Sequence, residues 1–144
     1  MSDQIDNDII FVLGGSRSGK SSWALNYAES NHEKLLFVAT AEIFDDEMAE
    51  RVRIHKKSRG ERWGVIEEPL EISDILEKKQ VGFDVILVDC ITVWLGNIMF
   101  KLGKGKAESY INSLLDALNS RSNNIIIVAD DTCGDYTCYL RLWW

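Results

Sequence analysis

An unbroken apolar run, Ile9-Ile10-Phe11-Val12-Leu13, leads directly into Gly14-Gly15-Ser16-Arg17-Ser18-Gly19-Lys20-Ser21. This junction constrains the fold more than any other stretch of the chain. Five consecutive apolar residues suit a strand buried on both faces, as in parallel sheets covered by helices. The eight residues after it fit G-x-x-x-x-G-K-[ST], a loop that cradles phosphate between a strand and a helix. Glycines let the backbone turn tightly, so that successive N–H groups converge on an anion. The helix beginning near Gly19 adds the positive end of its dipole. Lys20 then supplies a point charge to the β- and γ-phosphates, and the Ser21 hydroxyl a ligand for Mg²⁺.

The rest of the chain continues in the same register. Similar apolar runs recur at Leu35 to Ala39, Val85 to Val88 and Ile125 to Val128, with Trp63 to Ile66 a weaker candidate stopped before Pro69. Helical patterns lie between them: Ser21 to Glu29, Asp45 to Lys57, a short one marked by Ile72, Ile75 and Leu76, then Trp94 to Leu102 and Tyr110 to Leu118. Strands alternating with helices predict an α/β fold, a mostly parallel sheet flanked by helices with right-handed crossovers. With 144 residues and no linker rich in Pro, Gly or Ser, one P-loop α/β domain over 1–144 is expected.

Composition narrows the function. Asp and Glu total 23 against 16 Lys and Arg, a net charge of −7, which argues against a nucleic-acid partner. No apolar run is long enough to span a membrane, and Met1 to Asp8 is too acidic and polar for a signal peptide. Cys90, Cys133 and Cys138 are odd in number and lack metal-ligand spacing. A reducing cytoplasm is the expected location.

Two further positions carry chemistry. Val85-Ile86-Leu87-Val88-Asp89 is a buried strand ending in an acid. Asp89 is either a plain strand-end cap or, beside a phosphate loop, a carboxylate that helps to hold Mg²⁺; the loop favours the second. His55 follows Met48 and Val52 on one helical face, with Arg51 and Arg59 four residues to either side. On spacing alone it reads first as a half-buried histidine near a helix end. The alternative is an imidazole that attacks phosphorus while guanidiniums offset the charge. His32, in polar surroundings, reads as surface.

Taken together, Gly14 to Ser21, Ala39-Thr40-Ala41-Glu42-Ile43, Asp45-Asp46-Glu47-Met48, Arg51 with His55, and Asp89-Cys90-Ile91-Thr92-Val93-Trp94-Leu95-Gly96-Asn97 resemble a known family. It is the bifunctional adenosylcobinamide kinase/adenosylcobinamide-phosphate guanylyltransferase family of cobalamin biosynthesis. The resemblance implies a P-loop NTPase-like α/β fold and two reactions. The first phosphorylates adenosylcobinamide with ATP or GTP. The second passes GMP from GTP, through a covalent histidine, to adenosylcobinamide phosphate and releases pyrophosphate. By position it implies His55 as the guanylylated residue and Gly14, Gly15, Ser16, Arg17, Ser18, Gly19, Lys20 and Ser21 as the phosphate loop. It also implies Ala41, Glu42, Ile43, Ser58, Arg59, Gly60, Glu61, Glu67 and Asp89 as nucleotide-site positions, with Mg²⁺ near Ser21 and Asp89. A ring-like homotrimer is the implied assembly.

The resemblance spans Ile9 to Val128, and residues 129–144 read as an atypical tail, truncated or frameshifted relative to the family. Two other classes stay open at this point: a P-loop kinase of a small metabolite without nucleotidyl transfer, and an inactive truncated nucleotide-binding remnant.

Overall fold

The computed structural model describes residues 7–15, 18–41 and 62–131. Five strands, β1 (Ile9–Gly14), β2 (Leu35–Ala39), β3 (Trp63–Glu67), β4 (Val85–Asp89) and β5 (Asn124–Asp130), form one sheet in the order β1-β5-β4-β2-β3. Every neighbouring pair is parallel. Four helices are described: α1 (Lys20–Asn31), α2 (Ile72–Glu77), α3 (Ile91–Leu102) and α4 (Lys104–Asn119). The expected α/β architecture is therefore present, with all-parallel pairing. The helix expected over Asp45 to Lys57 lies outside the described residues.

The apolar runs of β2, β4 and β5 are continuous because both faces of the sheet are covered there. Leu36, Val38, Ile86, Val88, Ile125 and Ile127 point to one face, where they pack with Ile72, Leu76, Trp94, Leu95, Ile98, Leu114 and Ala117 of α2, α3 and α4. The intervening residues Leu35, Val85, Leu87, Ile126 and Val128 point to the other face and meet Ala24 and Ala28 of α1. Small alanines there let α1 approach the strands closely. Trp94 anchors the larger core, fully buried, with its indole N–H donating to the Leu70 carbonyl at 2.7 Å. Gly103, at φ 87°, supplies the positive-φ link between α3 and α4 that a side chain would strain.

The last strand runs further than its apolar pattern suggests. Ala129 and Asp130 continue β5 beyond Val128, opposite Leu13 and Gly14 of β1. Since all strands are parallel, Gly14, Asp130, Asp89, Ala39 and Glu67 end on one rim. The helices that leave this rim diverge, α1 to one face and α3 to the other. Such a crevice at the carboxyl ends of the strands is where open α/β sheets bind ligands.

Candidate nucleotide-phosphate site

The rim begins with a tight turn. A Cβ on Gly14 would lie 2.7 Å from Ser18 Oγ, and Gly19 takes φ 84° immediately before α1. The Ser18 N–H donates to the Gly15 carbonyl at 3.2 Å, closing the loop. Among the described residues no side chain caps α1 at Gly19, and N–H groups of a first helical turn suit an anion. Lys20 opens the helix and folds back, its ammonium donating to the Gly15 carbonyl at 3.1 Å and ion-pairing with Asp130. A cleft of about 470 Å³ adjoins the loop on the β1 side, lined by Gly14, Ser18, Gly19, Lys20 and Trp23 together with β1 itself.

Asp89 faces this loop across β5. Its carboxylate is hydrogen-bonded to the Ser21 side chain and lies in the field of Lys20 and of Asp130. Burial raises its pKa above the ordinary carboxylate value, against the lowering pull of Ser21 and Lys20. The backbone after Asp89 is pinned by Thr40, which is fully buried. The Thr40 hydroxyl donates to the Cys90 carbonyl at 2.7 Å and accepts the Cys90 N–H at 2.9 Å. Asn97 of α3 ties the same corner down, donating to the carbonyls of Thr40 and Pro69. Cys90 caps α3 by accepting the Val93 N–H, and burial pushes its thiol up to about 11, so it stays neutral.

Of the residues singled out from the sequence, Gly14, Gly15, Ser18, Gly19, Lys20, Ser21 and Asp89 therefore converge. Ala41 and Glu67 stand on the same rim beyond β4. Glu67, exposed at the end of β3, is four strand spacings from β1, roughly 19 Å. Ser16, Arg17, Glu42, Ile43, His55, Ser58, Arg59, Gly60 and Glu61 lie outside the described residues. Sequence reasoning passed over Asp130, the partner of Lys20. The signal was the same one that marked Asp89: an apolar run, Ile125 to Val128, followed within two residues by an acid.

A loop, a lysine and a serine–aspartate pair have the chemistry that suits a triphosphate, and many families share such a set. The comparison with known sequences decides among them: residues 10–137 match the family described as cobinamide kinase/cobinamide phosphate guanyltransferase. The chain belongs to this family.

Among similar members, the bifunctional adenosylcobalamin biosynthesis protein CobP of Pseudomonas aeruginosa is 33% identical over 121 residues, covering 84% of this chain and 70% of that protein. Bifunctional adenosylcobalamin biosynthesis proteins named CobU are 31% identical in Escherichia coli, over 82% of this chain and 66% of that one, and 32% identical in Salmonella typhimurium, over 87% and 69%. The matched part thus amounts to about two thirds of each relative. Family membership places the chain among transferases of cobalamin biosynthesis and bears out the resemblance carried by its motifs. The family match continues nine residues past Val128, where the motif resemblance ends. Among the described residues, no helix is long and apolar enough to cross a membrane.

Proposed function

We propose that this chain phosphorylates adenosylcobinamide with ATP or GTP, and then transfers GMP from GTP to adenosylcobinamide phosphate through a covalent bond to His55. The carrying observation is the Ser21–Asp89 pair beside Lys20, in a chain of this family. In the first reaction an acceptor hydroxyl attacks the γ-phosphorus and a nucleoside diphosphate departs. In the second, a neutral His55 nitrogen attacks the α-phosphorus of GTP, the bond to the bridging oxygen breaks, and pyrophosphate leaves. The acceptor's phosphate oxygen then attacks the same phosphorus and the P–N bond breaks.

The loop backbone and Lys20 bind and orient the phosphates in both steps. Ser21 and Asp89 offer hard oxygen donors suited to Mg²⁺, which takes one or two carboxylates and completes its shell with phosphate oxygens and water. When bound, Mg²⁺ offsets charge on the departing group. Arg51 and Arg59 are assigned as phosphate clamps, and Glu42, Ile43, Ser58, Gly60, Glu61 and Glu67 as further lining of the nucleotide site. A cytoplasmic homo-oligomer, trimeric as the family resemblance implies, completes the reading.

The deciding experiment uses GTP labelled at the α-phosphate. Label should remain on the denatured protein, labile in acid and stable in base as a phosphoramidate is. His55→Ala should remove it while GTP binding survives, and His32→Ala should change nothing. Label that persists in the His55 variant, or that comes from the γ-phosphate only, would return the chain to a kinase without nucleotidyl transfer.

A further inference from the structure

Lys20 is 11% exposed, and the group that neutralises it is the carboxylate of Asp130 at 27%. This carboxylate is held by its backbone. Asp130 stands directly opposite Gly14 in the β1–β5 ladder. Its N–H donates to Thr92 Oγ1 at 2.9 Å, and the next N–H, of Asp131, donates to the Gly14 carbonyl at 2.7 Å. The side chain is thus fixed at the mouth of the phosphate loop by β1 on one side and α3 on the other. Besides Lys20, its described side-chain neighbour is the Cys90 thiol, with Sγ 4.0 Å from Oδ2. The core residues before it, Ile125 to Ala129, are apolar and buried, and the carboxylate projects past them.

An ammonium that is mostly withdrawn from water has few places for partners. Lys20 already gives one hydrogen bond to Gly15. A phosphate oxygen seeking the same ammonium meets Asp130 as a rival of like charge, and Asp89 stands within the field of both. We infer that Asp130 is a positioning residue of the phosphate site, an internal stand-in for phosphate that orients Lys20 and competes with the polyphosphate of the nucleotide for it. The inference rests on the proposed binding of triphosphate at Gly14 to Ser21. Its effect is to weaken the hold on substrate and on released pyrophosphate alike.

The test measures binding of GTP and of inorganic tripolyphosphate by calorimetry, with the full chain and with EDTA present, so that cation ligation plays no part. Asp130→Asn keeps size and both backbone hydrogen bonds while removing the charge. Both ligands should bind on the order of tenfold more tightly to this variant, about 1.4 kcal/mol. Asp130→Glu, which retains the charge, should stay near the parent. A merely structural aspartate predicts the opposite sign, since damage to a site weakens its ligand. Unchanged or weaker binding by a cooperatively melting Asn variant overturns the inference. Asp130→Ser serves as a second neutral variant with the same expectation. Failure of both neutral variants to fold also overturns it, because the charge is then structural. Lys20→Ala separates the underlying reading: parental GTP affinity in that variant removes the phosphate-site assignment itself, whatever Asp130 does.

Discussion

Asp89 shows at a single residue how a functional group can oppose stability. Its loss of hydration outweighs the hydrogen bond from Ser21 and the charge of Lys20, so its pKa is raised in the folded chain. A raised acid binds more protons folded than unfolded. Its contribution to stability therefore falls as pH climbs from the ordinary carboxylate value through the raised one, and it is unfavourable at neutral pH. Asp89→Asn should raise the melting temperature at pH 7. The gain should vanish at acid pH, where both forms are protonated. Magnesium-dependent turnover should fall roughly 10- to 100-fold in the same variant. A variant that is less stable at pH 7 would show that Asp89 is held by its partners more than it is penalised by burial.

At the scale of elements, the site depends on how strand ends are fastened to the helices that follow. β4 and β2 are joined at the rim by one side chain, Thr40, which bonds both backbone groups of Cys90. Thr40→Val keeps the shape and leaves the Cys90 N–H without its acceptor, while the Cys90 carbonyl still receives the Trp94 N–H. Denaturant unfolding should register a loss of about 1–3 kcal/mol. Nucleotide binding in the presence of magnesium should weaken with it, because Asp89 immediately precedes the freed corner. The phosphate loop is fastened differently, by conformation. Gly14→Ala forces a Cβ to within 2.7 Å of Ser18 Oγ. Ser18 must then move, and calorimetry should find GTP affinity reduced at least tenfold while circular dichroism is unchanged.

Among the described residues, the β1 side of the sheet is incompletely covered. β1 is an edge strand whose described neighbour is β5 alone, and Phe11 and Leu13 on it are 57% and 61% exposed. An exposed apolar edge of this kind invites association. Replacing Phe11 and Leu13 together by Thr, which keeps strand propensity, should lower light scattering at high concentration and leave the melting temperature within about 2 °C. A marked drop in melting temperature would instead show that other parts of the chain cover this face. The arrangement also explains what could be read in advance. All five strands and the four described helices were legible as runs and periods, because burial on both faces of a parallel sheet leaves no polar position to interrupt a strand. The loop was legible because its signal is local: glycines, a lysine and a serine stand within eight consecutive residues. The order of the strands was not legible. It places β5, the last of the described strands, between β1 and β4, and hydrogen bonds between distant segments leave no periodic mark on either one. With that order came the role of Asp130, which lies 110 residues beyond Lys20 in sequence and meets it only because β5 pairs with β1. What neighbouring residues do together was written in the sequence by itself; which distant charges meet was decided by the tertiary fold, through the pairing of strands.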